Sequence, residues 1–205
     1  TTEMVKFPRT RHIGDASDDP SEWGSNRAKT GKKSSVTRDD LLLSADEVEI
    51  LCNGQTTLLL EEKVDGANMG ISIDWNGNIL FQNRSKYVCS TTSAQFLPLK
   101  EWLPNHEAFL RKLLVPEKLI LYGEWCVAVH SIHYTQLPAY FIAFDIYDRE
   151  MGRFFSRERM LSHFYAAAQA ERTGTSMVPP IPIVPLLEKR TFTSSAQLLP
   201  YLQLE

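Results

Sequence analysis

Apolar residues recur along this chain in two registers, and the switch between them marks its elements. Ile71, Ile73 and Trp75 alternate with smaller or polar residues, and a second β-rich run follows Asn76-Gly77, so residues 70–86 predict a β-hairpin. Asn-Gly is the pair favoured by a type I′ turn, whose two central residues both need positive φ. The stretches KLILYGEWCVAV (118–129) and AYFIAFDIYD (139–148) are too apolar and too rich in β-formers for surface helices, and predict buried strands. TTLLLEE (56–62) predicts a further strand. A helical period governs the rest. Residues 37–52 predict a short helix, with Ser44 as N-cap and Glu47 closing a capping box. Residues 94–114 predict a helix broken near Pro104, with Asn105 capping its second piece. Residues 157–171 predict another, and 194–205 a weak one. The prolines of PPIPIVPLL (179–187) lack the donor that a central strand needs, which leaves an edge strand or a linker. The fold class expected is α+β on an antiparallel core, without internal repeats.

Composition narrows the class. The chain has 205 residues, 43% hydrophobic and 23% charged, the profile of an ordinary globule able to bury a core. Residues 1–38 predict an irregular arm and 39–205 the folded domain. No apolar run approaches the roughly 20 residues of a membrane span, and the first residues lack a signal peptide's apolar centre. Cys52, Cys89 and Cys126 are odd in number and far apart, as free thiols of a reducing compartment are. The expected location is intracellular, cytoplasmic or nuclear. A net charge of -3 excludes a protein that coats nucleic acid over its whole surface, but not a local patch. Residues 26–38 carry five basic and no acidic side chains, suited either to a solvated loop or to anchoring phosphates.

The chemistry centres on EEKVDGANMGI (61–71). Lys63 stands where a strand enters an Asp-Gly turn, which places its amine at the rim of a pocket. A lysine becomes a nucleophile only when its surroundings favour the neutral amine. Lys-x-Asp-Gly is by itself a short pattern that also ends ordinary surface strands. Further along, Glu124 interrupts a buried-looking strand, where an acid is costly without a partner or a task. Asp145 ends a second β run, and Arg84 and Lys86 follow the hairpin. His130 and His133, three apart on an extended segment, do not share one face and make a poor metal pair. Trp23, Trp75, Trp102 and Trp125 are expected to pack in or near the core, and Asp74 to be exposed.

As a set, these residues resemble the covalent nucleotidyltransferases: DNA ligases, RNA ligases and capping guanylyltransferases. Lys63-Val64-Asp65-Gly66 is similar to the family's first motif, Gly123-Glu124 to its third, and Phe144-Asp145 to the one after it. Asn68 and Arg84 stand where RNA ligases of the second phage type carry an Asn and an Arg, so the resemblance favours that branch over about residues 37–190. It implies a ligase adenylation fold, an antiparallel β core with flanking helices. It also implies ATP and Mg²⁺ (or Mn²⁺) as cofactors, RNA 5′-phosphate and 3′-hydroxyl ends as partners, a place in RNA repair, a monomer and no membrane. By that resemblance Lys63 attacks the α-phosphate of ATP, expels pyrophosphate and holds AMP, which passes to a 5′-phosphate before a 3′-hydroxyl displaces it. Catalysis would fall to Lys63, Asp65, Asn68 and Arg84. Nucleotide binding would involve Glu62, Lys63, Gly66, Arg84, Glu124 and Phe144, with Phe144 stacked on adenine and Glu124 contacting ribose or the metal.

The chain departs from that pattern after Asp148. The family's fourth motif, a strand with Glu-Gly, and its fifth, Lys-x-Lys, are both missing, and the only later lysine is Lys189, followed by Arg190. The expectation is a domain cut before those strands, with AMP transfer slow or absent in this chain. The alternatives are a GTP-using capping enzyme and a non-catalytic ligase fold that binds nucleotide or RNA ends. A DNA ligase fits less well, because those usually append an oligonucleotide-binding fold.

Overall fold

The computed structural model describes residues 3–14, 19–24, 41–170 and 179–202. The basic stretch at 26–38 and the domain boundary expected at residue 38 lie largely or wholly outside them. The chain divides into two compact units, one formed by its start and residues 63–184, the other by residues 8–62 and 185 onward.

The first unit is built on a six-stranded antiparallel sheet in the order β4-β3-β2-β5-β6-β7. Its strands are β2 (Ala67–Ile73), β3 (Ile79–Gln82), β4 (Tyr87–Val88), β5 (Leu119–Trp125), β6 (Phe141–Asp148) and β7 (Arg153–Phe154). Side chains alternate between the two faces. Met69, Ile71 and Ile73 therefore join Leu121 and Trp125 on one face, under helices α2 (Leu99–Leu113) and α3 (Arg157–Gln169). Trp102, Phe109, Leu110 and Leu113 of α2 and Met160 and Phe164 of α3 complete that core. The other face carries Asn68, Gly70 and Ser72 of β2 opposite Glu124, Tyr122 and Ile120 of β5.

The second unit pairs β1 (Thr57–Glu61) with β8 (Leu186–Thr191), antiparallel, from Thr57 opposite Thr191 to Leu60 opposite Glu188. Its core gathers Trp23, Cys52, Phe192 and Leu198. Helix α1 (Ala45–Leu51) starts as its sequence dictates: the Ser44 hydroxyl accepts from the Glu47 amide at 3.3 Å, and the Glu47 carboxylate accepts from the Ser44 amide at 2.9 Å. The chain enters that helix extended, with Leu42 bridged to His12. The β-run expected across the prolines begins only at Leu186, past the last of them. The final described segment is a short 3₁₀ turn followed by α4 (Leu199–Leu202).

Four expectations are corrected. The hairpin turn is not type I′, since Gly77 has φ of 84° while Asn76 is absent from the positive-φ residues. A longer loop forms instead, because the Asp74 carboxylate, half-buried rather than exposed, accepts from the Asn78 backbone at 2.7 Å and side chain at 2.9 Å. That loop carries Trp75 out of the alternating register, and it is 77% exposed. Helix α2 runs unbroken through Pro104. The carbonyl that the missing Pro104 N–H would have bonded belongs to exposed Lys100 in the first turn, so the helix loses that bond at its solvent-facing start rather than in its interior.

Candidate active site

After Glu61 the chain runs outside regular structure through Asp65, bends at Gly66 and enters β2 at Ala67. Val64 is buried against Ile142 and Val184, which fixes the segment and leaves Lys63 exposed. Gly66 is required by proximity: a Cβ there would lie 2.8 Å from the Trp125 carbonyl oxygen. Its amide donates to Glu124 Oε1 at 3.0 Å, tying the turn to β5. One pair further along, Asn68 stands directly opposite Glu124.

Arg84 comes from the turn joining β3 to β4. The Asn83 amide donates to the Lys86 carbonyl at 2.9 Å, and the Asn83 side-chain oxygen accepts from the Ser85 and Lys86 amides, both at 2.9 Å. An Asx turn of this kind holds the backbone with its own side chain, and here it presents Arg84 outward. Lys63, Asp65, Gly66, Asn68, Arg84 and Glu124 together line one cleft of about 360 Å³, with Asn83 and Ser85 at its edge.

Asp65 faces a loop as well as the cleft. Its Oδ2 accepts from the amides of Ser131 at 2.7 Å and Ile132 at 2.9 Å, while its own amide donates to the Tyr134 hydroxyl at 2.9 Å. The loop after β5 is thus pinned beside Lys63. Among the described residues no group of three or more His, Cys, Asp or Glu side chains could hold a metal ion. Glu124, the residue expected to contact metal, shares the cleft with Asp65 and already accepts the Gly66 N–H.

Burial pushes the Glu124 carboxyl above its ordinary value. The Gly66 N–H, Lys63 and Arg84 pull it back, and Asp65 adds to the rise. A raised folded-state pKa means that ionisation costs the fold stability as pH climbs from the unfolded value of 4.5 through the folded one. We expect Glu124→Gln to be more stable than wild type at neutral pH, with the difference closing as pH falls to 4.5. Urea melts of both proteins across that range read it, and identical pH slopes would refute it.

Two residues expected at the site are outside this cleft. Glu62 belongs to the second unit, where its amide donates to the Pro185 carbonyl at 3.1 Å. Phe144 packs with the Val64, Ile142 and Val184 cluster. Sequence reading missed Tyr134 and the Ser131 and Ile132 amides, which act through backbone geometry that no residue type announces. Asn83 did have a signal, since Asn two residues before Ser is a common Asx-turn opening.

Lys63 thus stands in the segment leading into β2 of the six-stranded antiparallel sheet, with Asn68, Arg84 and Glu124 lining the same cleft. The profile of the RNA ligase family matches residues 56–202, and the chain belongs to that family. Among solved structures it is similar to the Naegleria gruberi RNA ligase. A lysine-to-methionine mutant of that ligase with AMP and Mn superposes at a TM-score of 0.55 with 16% identity, covering 75% of this chain and 45% of that one. A glutamate-to-alanine mutant with AMP and Mn gives 0.54 with 17% identity over 74% and 44%. A lysine-to-alanine mutant with ATP and Mn gives 0.53 with 16% identity over 75% and 42%. These likenesses support the α+β ligase adenylation fold, and the chain spans under half the length of those proteins. No curated protein matches. No helix among the described residues is long and apolar enough to cross a membrane.

Proposed function

We propose that this chain is the nucleotide-accepting part of an ATP-dependent RNA ligase, with Lys63 as the nucleophile. The observation that carries the reading is the convergence of Lys63, Arg84, Glu124 and Asn68 on one cleft. In the first step the neutral Lys63 amine forms a bond to the α-phosphorus of ATP. The bond from that phosphorus to the bridging oxygen breaks, pyrophosphate leaves with the electron pair, and the amine gives up a proton. A 5′-phosphate oxygen then takes the AMP, which restores the amine. Attack by a 3′-hydroxyl releases AMP and leaves a phosphodiester.

Each cleft residue suits one part of this work. The planar fork of Arg84 suits phosphate or ribose oxygens. Asn68 is an uncharged partner for a phosphate or a 3′ end. Asp65 keeps the 131–132 loop against the cleft, so it positions as well as contacts. Phe144 is assigned the base. A divalent ion, Mg²⁺ or Mn²⁺, supplies charge neutralisation on the phosphates. The cleft holds two carboxylates, Asp65 and Glu124, and Asp65 is engaged by the Ser131 and Ile132 amides, so the ion would be held chiefly by ATP itself. RNA ends are the proposed acceptors.

The missing Glu-Gly and Lys-x-Lys motifs favour a second reading, in which this chain binds nucleotide or RNA ends without reacting. Intact-mass spectrometry after incubation with Mg²⁺ and ATP or GTP decides between them. The expected result is a mass increase of one AMP with ATP alone, formed slowly because those two motifs are missing. An increase of one GMP would reassign the chain to capping chemistry. ATP binding without any adduct, both in this chain and in a version extended past Glu205, would establish the non-catalytic reading.

A further inference from the structure

The face that carries Asn68 and Glu124 continues, two residues along each strand, to Gly70 and Tyr122, with Gln82 on the far side of Gly70. Residues 3–7 cross it without strand pairing. Side chains hold this segment by its carbonyls instead. Gln82 Nε2 and the Tyr122 hydroxyl each donate to the Val5 oxygen at 2.6 Å, and Arg149 Nη1 donates to the Glu3 oxygen at 2.6 Å. Gln82 and Tyr122 are both only 1% exposed, so these donors would be costly to leave without an acceptor. The segment ends with Phe7 among three rings: Tyr122 and Phe144 at 5.1 Å and Phe154 at 5.4 Å between centroids.

Phe144 needs such a neighbour. The β5–β6 register slips, with Tyr122 opposite Asp145 but Gly123 opposite Ala143, so Phe144 is the extra residue of a β-bulge. A bulge re-aims its side chain and forfeits the cross-strand pair that would otherwise fix it. The Phe144 ring rests on the Val64, Ile142 and Val184 cluster. Phe7 meets it edge-on, at 67° between planes. Part of Phe144 stays open, since the residue is only partly buried.

We infer that Phe7, presented by residues 3–7, is a positioning residue for base recognition: its edge fixes the bulged Phe144 ring so that the ring's open side receives the base of the nucleotide. This rests on the reading of Phe144 as the base-stacking residue. It differs from a packing role because only the base should sense it, while the phosphates bind at Lys63 and Arg84.

The test is calorimetric binding of ATP and of inorganic tripolyphosphate to the wild type, Phe7→Ala, Phe7→Leu and Phe144→Ala. Phe7→Ala should weaken ATP by about tenfold, the scale of one aromatic contact, and leave tripolyphosphate unchanged. Phe7→Leu should behave like Phe7→Ala, because it restores apolar volume but no ring edge. Full recovery of ATP affinity by leucine, or equal losses for both ligands, would reduce Phe7 to packing and overturn the inference. Loss of ATP binding in Phe144→Ala alone would overturn it too, with the Phe144 reading intact. A Phe144→Ala protein that binds ATP normally would overturn that reading and the inference together. Should Phe7→Ala fail to fold, Tyr122→Phe removes one bond to the segment without removing a ring, and is read in the same way.

Discussion

Lys63→Ala is expected to abolish the AMP adduct completely, because no other residue of the cleft can make a phosphorus–nitrogen bond in the proposed first step. Arg84 also carries nitrogens, but the delocalised planar guanidinium is a poor nucleophile. The same chemistry separates binding from reaction. Lys63→Arg keeps the positive charge beside Glu124, so ATP should bind within about threefold of wild type while the adduct is equally absent. Intact mass reads the first quantity and calorimetry the second. An AMP adduct that persists in Lys63→Ala would place the nucleophile elsewhere and remove the basis of the proposed function. If Lys63→Arg lost ATP affinity as well, the lysine would serve a geometric role beyond its charge. The exposure of Lys63 at the cleft is what makes both variants informative: neither change disturbs the core, so loss of the fold does not confuse the result.

The largest effect on stability is expected at Trp125. It is fully buried at the end of β5, its indole N–H donates to the Gln95 carbonyl at 2.6 Å, and its ring meets Trp102 edge-on at 5.9 Å. Truncating such a ring to alanine costs about 3–5 kcal/mol from lost transfer energy and the cavity left behind. Leaving the Gln95 carbonyl without its donor adds about 1 kcal/mol. Against a total stability of about 5–15 kcal/mol this is a large fraction, and for a chain of this length it lowers the melting temperature by about 10 °C or more. Trp75→Ala is the matched control, since Trp75 is 77% exposed on its loop and its removal should cost under about 0.5 kcal/mol. Chemical denaturation of both proteins reads the contrast. Equal losses would mean that the Trp125 site collapses around the deletion. The functional consequence is local as well, because Trp125 anchors the strand end that presents Glu124, and a loosened β5 would shift the partner of the Gly66 amide.

Where the sequence was informative, local chemistry was strong. The Ser44–Glu47 capping box forms between residues three apart, so one short window contains all of its causes. The strands of the central sheet were legible because continuous apolar runs have no stable place but a core. The hairpin turn was not, since Asn-Gly favours one geometry and the Asp74 carboxylate, reaching Asn78, selects another. Pro104 misled for a related reason: its effect depends on whether the orphaned carbonyl faces water, which is a property of the folded helix.

The site divides in the same way. The run from Lys63 to Asn68, with Arg84 and Glu124 downstream, was singled out from the chain alone, and the fold brings those residues to one cleft. Membership of the RNA ligase family rests on the match over residues 56–202. Only the tertiary structure decided that Asp65 grips the 131–132 amides, that Glu62 falls outside the cleft, and that Phe144 rides a bulge against Phe7. Those outcomes depend on contacts between residues far apart in sequence, on backbone groups common to every residue, and on a one-residue slip between strands. Local preferences set the elements; long-range register and burial set what the elements bring together.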